Sequence, residues 1–364
     1  MQNKVNILQI SVRADIGGGP EHLYNLVKGS TQKFNYFIAA PNDKPYLELF
    51  RSLVGNDNII IIPHRKFRVS AFLSLREFIK KNNISIIHSH GKGAGIYGRL
   101  LALITGKRSI HTLHGFHIGK YNLLQKQLYF FIERILSIFS QKIIAVSEGE
   151  KKHILESNIC SESKILVIEN GIKIPDQFIS QENFNQTPKK LMHLTRFDYQ
   201  KNTSQLISIC NELKERKELN NFQFNIYGEG EEFEAFKQQI IDLELENSII
   251  LKGADPNARE KLVEGFCYIS TSRWEGLPIS LLEAFAVGLP VICSDTTGNN
   301  DLVKNNFNGY LYDISDPSQA VDYLLNLSAD QELWSKLSTN ARDFVTNNYS
   351  LEKMISKIEQ VYDN

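Results

Sequence analysis

Short β-rich runs alternate with helical stretches along this chain, and the alternation pauses once before it resumes. Candidate strands ahead of the pause are Val5–Ser11, Phe34–Ala39, Ile59–Ile62, Ile84–His88, Arg108–Leu113, Lys142–Val146 and Lys164–Ile168. Beyond it they are Leu191–Thr195, Phe222–Tyr227, Ser248–Leu251, Cys267–Thr271, Val291–Ser294 and Gly309–Tyr312. Strands joined through helices need crossover connections, so each set predicts a parallel sheet with helices on its faces. The pause, residues 171–188, is polar, contains Pro175 and Pro188, and reads as a linker. Helical stretches Gln331–Asn347 and Leu351–Tyr362 close the pattern, with a break near Tyr349–Ser350. The expected architecture is α/β: two doubly wound, Rossmann-like parallel-sheet domains facing a cleft. Their expected extents are 1–175 and 189–349, with 176–188 as linker and 350–364 returning to complete the first. Ligands of open parallel sheets bind beyond the carboxyl ends of the strands, so both domains should offer loops to the cleft.

A chain of 364 residues is too long for one ordinary core and suits two. No run approaches the roughly 20 apolar residues that span a bilayer. Met1–Ser11 leads straight into a strand with no basic head or cleavage site, so no signal peptide is expected. Cys160, Cys210, Cys267 and Cys293 are far apart and mostly within apolar runs. They read as buried thiols of a reducing, cytoplasmic setting, at most at the inner face of the plasma membrane. Formal net charge is zero overall, but residues 1–175 hold 24 Lys+Arg against 12 Asp+Glu, and residues 176–364 hold 17 against 29. The basic half could meet an anionic partner such as a phosphate-bearing acceptor or lipid headgroups, or the halves could attract each other. The apolar stretch Leu123–Ser140 could lie on a membrane surface, but such helices more often pack against a sheet, and packing is expected.

The strongest local signal runs from Ser272 through Glu275-Gly276-Leu277-Pro278 to Glu283, between a strand and a helix. Pro278 suits a first helical turn, where its missing N–H costs nothing. Unpaired N–H groups and the positive end of the helix dipole would hold a phosphate, while carboxylates accept hydrogen bonds from sugar hydroxyls. Alternatively Glu275 complements the dipole and Glu283 faces water. Arg196 and Lys201 follow the first strand of the second half, and fixed cations there would stabilise a departing diphosphate. Gly17–Gly19 follows the first strand, where glycine lets backbone N–H groups approach phosphate, although no G-x-G-x-x-G spacing follows. His88, His90, His111, His114 and His117 cluster in sequence. Gly115 interrupts that run and no Asp or Glu accompanies it, so no metal is expected.

Taken together, Glu275-x7-Glu283 with its internal Gly-Leu-Pro resembles the signature of retaining glycosyltransferase family 4, which has the GT-B fold. Further motifs occur in order: Gly17-Gly18-Gly19, Val146-Ser147-Glu148, Asn170-Gly171-Ile172, Arg196 to Asn202, Tyr227-Gly228-Glu229-Gly230, and Gly288-Leu289-Pro290. The resemblance spans essentially the whole chain. It implies that Arg196 and Lys201 grip the donor diphosphate and that Gly18 and Gly19 close over it. Gly228 and Gly230 would line the nucleotide pocket, and Glu283 would bind ribose hydroxyls. Glu275 would approach the transferred sugar, with the backbone of Gly276, Leu277 and Pro278 bordering it. His114 would be the active-site histidine and His117 an acceptor contact.

The implied activity is metal-independent transfer of a hexose or N-acetylhexosamine, with retention, from a nucleotide-sugar such as a UDP-sugar. The acceptor would be a polyprenyl-diphosphate-linked saccharide of bacterial surface polysaccharide (O-antigen or capsule) synthesis, with an anionic membrane as a further partner and no nucleic acid. No cofactor is implied, the sugar nucleotide being a co-substrate. A sugar-nucleotide epimerase of the same fold, and a non-catalytic sugar-nucleotide-binding partner protein, are the alternatives. An epimerase needs no acceptor, and a binding partner turns nothing over.

Overall fold

The computed structural model describes residues 4–116, 119 and 121–364. In chain order the elements are β1 (Val5–Ser11), α1 (Gly18–Gly29), β2 (Phe34–Ala40), α2 (Tyr46–Val54), β3 (Ile59–Ile61), α3 (Val69–Lys81), β4 (Ile86–His90), α4 (Gly91–Thr105), β5 (Arg108–Thr112), α5 (Leu123–Ile138), β6 (Lys142–Ala145), α6 (Glu148–Glu156) and β7 (Ile165–Val167). There follow α7 (Gln181–Asn185), β8 (Lys189–Leu194), α8 (Gln205–Glu215), β9 (Phe222–Tyr227), α9 (Phe233–Asp242), β10 (Ile249–Gly253), β11 (Cys267–Ser270), α10 (Ile279–Ala286), β12 (Val291–Ser294), α11 (Asn299–Leu302), β13 (Gly309–Tyr312), α12 (Ser318–Ala329), α13 (Gln331–Asn348) and α14 (Leu351–Asp363).

Two compact units result: residues 1–171 with 351–364, and residues 172–350. The first holds a seven-stranded parallel sheet in the order β3-β2-β1-β4-β5-β6-β7. Its central strands are buried on both faces, as runs such as Ile7–Ile10 require. One face packs against α3 and α4 through Leu75, Ile79, Tyr97 and Leu101. The other receives Leu26 of α1 and Met354, Ile358 and Tyr362 of α14. The second unit holds a six-stranded parallel sheet, β10-β9-β8-β11-β12-β13. Both are doubly wound, so their strands reverse order beside β1 and β8, and the loops after β1, β4, β8 and β11 open at the switch points. Cys210, Cys267 and Cys293 are buried thiols and Cys160 is half-buried.

Three expectations change. Residues 176–188 fold onto the second unit instead of linking two bodies. Ile179 is buried there and its N–H reaches the Val287 carbonyl. Asn183 on α7 donates to the carbonyls of Val263 and Gly265. Strand β4 ends at His90, two residues beyond the expected His88, because the Ser89 and His90 backbones pair with His111 and Thr112 of β5. Helix α5 packs on the sheet only in part, through Tyr129, which joins the core cluster of Ile143 and Ala145 on β6. It turns Tyr129, Glu133, Leu136 and Ser137 inward and leaves Leu123 and Leu124 each 74% exposed. The cause lies on α4, where the buried Arg99 guanidinium meets both Glu133 oxygens, at 2.7 and 3.2 Å. An ion pair removed from water is tolerated only when both partners stay together, so Glu133 fixes which side of α5 faces in.

Candidate active site

In the second unit, four loops leave the carboxyl ends of adjacent strands and lock onto one another. After β8, Asp198 organises a tight turn: one carboxylate oxygen accepts the Lys201 N–H at 3.0 Å, and the other lies 3.1 Å from the Arg196 guanidinium. Arg196 also reaches the Gln200 side-chain oxygen at 3.2 Å. After β11, residues 271–275 run beside this turn. Arg273 N–H donates to the Gln200 carbonyl, and Thr271 Oγ1 donates to that of Lys201. Across this seam the Lys201 ammonium meets Glu275 Oε1 at 2.6 Å. Ser272 Oγ donates to the same oxygen at 2.6 Å, and Gln200 Nε2 reaches Oε2 at 3.4 Å. Glu275 is thus a nearly buried carboxylate whose negative charge is held by three partners.

Glycines make the close approach possible at two places. A side chain on Gly228, after β9, would bring Cβ within 1.7 Å of the Thr195 carbonyl oxygen. After β12, Gly298 has φ of +87°, and its Cβ would sit 2.6 Å from the Gly276 oxygen and 2.8 Å from Glu275 Cβ. The neighbouring Thr297 carbonyl accepts the Glu275 N–H at 3.0 Å. Gly230 presses likewise on Phe197. Gly276, Leu277 and Pro278 lead into α10, with Leu277 buried. Pro278 is the N-cap, outside the first helical turn assigned to it above. Its backbone is extended and its carbonyl accepts the N–H groups of Leu281 and Leu282. Glu283 lies further along α10, largely buried, with Oε1 3.7 Å from Arg259 Nε. The structure therefore gathers Arg196, Lys201, Glu275, Gly228 and Gly230, and gives Glu283 a different cationic neighbour.

In the first unit, Gly18 and Gly19 are the first residues of α1, capped by Gly17, where the sequence had suggested a loop. The close spacing to Pro20, which favours an early helical position, accounts for the difference. One turn along the same helix is His22, and its ring lies 4.7 Å from that of His114. His114 takes a left-handed backbone, φ +59°, beside Gly115, whose N–H is held by the Glu150 carboxylate. His90 Nδ1 is 3.2 Å from His114 Nε2. Behind it, His90 Nε2 contacts Gln9 Oε1 at 2.8 Å, and Gln9 Nε2 donates to the Tyr362 hydroxyl at 2.9 Å. That hydroxyl is 2.6 Å from His88 Nδ1, and His88 Nε2 is 2.8 Å from Thr112 Oγ1. His22 is pinned through Nδ1 to Asn170 Oδ1 at 3.0 Å. Burial pushes His22 down to about 4 and His88 to about 3, and holds His90 well below its ordinary value, so these rings are neutral near pH 7. His117 lies outside the described residues.

Nitrogens of His22, His90 and His114 fall within 4.8 Å of one another, as do ligand atoms of Asp15, Asp43 and His64. In the first trio His90 and His114 are already joined through a hydrogen bond. In the second, Asp15 is paired with Arg13 and Asp43 with His64. The sequence assigned no role to Gln200, Ser272, His22, Gln9 or Tyr362, although Ser272 opens the 272–283 motif. Gln200 and Ser272 were recoverable, being close neighbours of Lys201 and Glu275, and His22 sits one turn after Gly18. Gln9 and Tyr362 carried no signal, since their meeting depends on α14 returning to β1.

Comparison with known proteins matches residues 16–174 to the family described as Glycosyltransferase Family 4, and residues 176–344 to Glycosyl transferases group 1. The UDP-Gal:alpha-D-GlcNAc-diphosphoundecaprenol alpha-1,3-galactosyltransferase of Escherichia coli is 28% identical over 84% of this chain and 81% of its own. The O-antigen biosynthesis glycosyltransferase WbnH of Escherichia coli is 26% identical over 83% and 84%. Among solved structures, HepE of Anabaena in complex with UDP and glucose superposes with a TM-score of 0.85, at 16% identity, over 98% of this chain and 99% of that one. No described helix is long and apolar enough to cross a membrane.

Proposed function

We propose that this chain, which belongs to glycosyltransferase family 4 and has the two parallel-sheet domains of the GT-B fold, is a retaining hexosyl- or N-acetylhexosaminyltransferase that uses a UDP-sugar. Its acceptor is a polyprenyl-diphosphate-linked saccharide of bacterial surface polysaccharide synthesis. The relative that acts on a diphosphoundecaprenol-linked GlcNAc supports this acceptor class. The observation that carries the donor reading is the joining of Arg196, Lys201 and Glu275 by two loops ahead of the α10 N-terminus. Two fixed cations and a helix dipole suit a leaving diphosphate. They supply the charge that a divalent ion would otherwise provide, so transfer proceeds without one.

In the proposed reaction the bond between the sugar anomeric carbon and the phosphate oxygen breaks as the acceptor oxygen bonds to that carbon on the same face. The acceptor proton passes to the leaving phosphate oxygen. Glu275 is no nucleophile here: its carboxylate is engaged by Lys201 and Ser272, and it serves to bind sugar hydroxyls. His114, oriented by His90, contacts the transferred sugar, and Glu283 takes the ribose. A panel of sugar nucleotides tested for binding and slow hydrolysis, with and without a diphosphate-linked acceptor, tests the reading. A UDP-sugar should bind, hydrolyse slowly alone and turn over fast only with acceptor, and EDTA should leave the rate unchanged. An epimerised sugar nucleotide formed from donor alone, as opposed to free sugar released by slow hydrolysis, would establish the epimerase, and a rate lost to EDTA and restored by a divalent ion would overturn metal independence.

A further inference from the structure

Three histidines from three elements of the first unit come together. His22 lies on α1, His90 ends β4, and His114 follows β5. A nitrogen of each lies within 4.8 Å of the other two. His90 Nδ1 and His114 Nε2 are 3.2 Å apart. Nitrogens bound about 2.0–2.1 Å from a tetrahedral ion stand about 3.4 Å from one another, so this edge already has the separation that a shared ion needs.

The bonds behind the trio decide which nitrogens carry protons. His22 Nδ1 faces Asn170 Oδ1 at 3.0 Å, and a carboxamide oxygen can only accept. His22 therefore holds its proton on Nδ1 and a lone pair on Nε2. That Nε2 is buried and has no hydrogen-bond partner among the described residues. A buried acceptor in this condition is unfavourable, and a ligand would relieve it. His90 repeats the arrangement. Its Nε2 faces Gln9 Oε1 at 2.8 Å, which puts the lone pair on Nδ1, the nitrogen beside His114. Gln9 is itself fixed, its Nε2 donating to the Tyr362 hydroxyl. Imidazoles that bind metals give their second N–H to an oxygen in this way, which sets tautomer and ring angle. Burial also keeps His22 and His90 neutral, the form that coordinates.

We propose that His22 Nε2, His90 Nδ1 and His114 Nε2 bind one borderline-soft divalent ion, zinc or a transition-metal neighbour. Three imidazoles without a carboxylate among them disfavour magnesium and calcium, which demand oxygen ligands. Three protein nitrogens leave a fourth position for water or an anionic oxygen. The ion takes the place of the proton that His114 Nε2 now offers to His90 Nδ1, and His114 carries that proton on Nδ1 instead. Transfer as proposed above needs no metal, so the ion acts against it by withdrawing the His114 nitrogen from the transferred sugar. This inhibition rests on the proposed role of His114, whereas ion binding rests on the trio alone.

Calorimetric titration of the full chain, free of any histidine tag and stripped with chelator, tests the site with zinc and with magnesium. Zinc should bind at the trio and magnesium should not. His22→Ala should weaken zinc about a hundredfold or more, and Asn170→Ala, which removes only the orienting oxygen, about tenfold. His64→Ala, in the separate Asp15–Asp43–His64 cluster, should leave this binding unchanged. Cobalt(II) added to the wild type should give the strong visible absorption of a four-coordinate site, and zinc should abolish it, a readout that needs no variant to fold. Excess zinc should inhibit transfer and EDTA should restore it. Wild-type protein that takes up no zinc overturns the proposal, as does binding that survives His22→Ala or vanishes with His64→Ala. Zinc that binds the trio and leaves the rate unaltered overturns the inhibition and the sugar contact of His114, while the ion site stands. A chain that binds zinc through the trio but turns over no UDP-sugar refutes the donor reading alone.

Discussion

Lys201 Nζ sits 2.6 Å from Glu275 Oε1 although 74 residues separate them in sequence. Only 8% of the Glu275 side chain is exposed, so the contact is screened little by water. On the proposed donor reading, a diphosphate arriving at Lys201 would compete with Glu275 and find the ammonium already in place. Lys201→Ala should therefore lower turnover by about a hundredfold or more and cost stability of about 1–3 kcal/mol, since Glu275 is left short of its cation. A double-mutant cycle with Glu275→Gln, read by kinetics and urea denaturation, should show strong non-additivity. Additive effects would dissolve the pair as a functional unit.

Gly298 buttresses that pair from a neighbouring loop. Gly298→Ala combines a positive φ with a Cβ 2.6 Å from the Gly276 oxygen. The chain must shift the 275–276 backbone to relieve it. Calorimetry should show UDP affinity falling about tenfold or more, at a cost of about 1–3 kcal/mol for the backbone conformation, with the far-ultraviolet circular dichroism spectrum retained. Unchanged affinity would detach the 297–298 loop from the donor site.

Tyr362 lies far from Gln9 and His88 in sequence but bonds to both. Tyr362→Phe keeps the ring packed among Phe34 and Ile358 and deletes only the hydroxyl. Gln9 then loses its orienting acceptor, and with it the fixed polarity of His90 against His114. Turnover should fall about tenfold with UDP affinity unaltered, for a stability loss of about 1–3 kcal/mol. Nitrogen-15 shifts of the imidazoles report the tautomers directly. A spectrum identical to wild type would show that the phenol does not set them.

Acid should weaken the first unit through its buried imidazoles. His22 and His88 have folded values of about 4 and about 3, below the 6.5 of an exposed ring, because burial penalises the charged form. The unfolded chain then binds more protons than the folded one between pH 6.5 and those values. Stability is fully present above 6.5 and is lost as pH falls toward 4, by up to about 1.4 kcal/mol per pH unit for each ring. Urea midpoints measured from pH 7.5 to 4.5 should decline accordingly. Their constancy would mean that the rings are charged or hydrated in the folded state.

Both sheets were legible in the sequence because buried parallel strands are short and almost continuously apolar, as Phe34–Ala40 and Val291–Ser294 show. Where strands carry polar residues the reading slipped. Ser89 and His90 look like a loop until their partners on β1 and β5 are known. Segment 176–188 looks like a tether because its few anchors, Ile179, Asn183 and Phe184, are scattered among polar residues and carry no periodic pattern. The orientation of α5 was illegible for a sharper reason. Periodicity identifies an apolar face but not what the opposite face meets, and Arg99 lies 34 residues from Glu133. Lys201 and Glu275 stood out one by one, whereas their contact is a property of two strands, β8 and β11, being neighbours.

Helix α14 gives the two units different histories during synthesis. Residues 172–350 form one uninterrupted stretch and can close as soon as they clear the ribosome. The first unit emerges earlier yet stays open where Met354, Ile358 and Tyr362 belong, until roughly 180 further residues have been made, on the order of 10–40 s at ordinary elongation rates. For that interval the sheet face around Ile7, Ile86 and Ile110 has Leu26 of α1 to cover it but lacks the side chains of α14. The hydroxyl that orients His90 arrives with α14, so the histidine network of the earlier-made unit is finished only after the later-made unit has been translated.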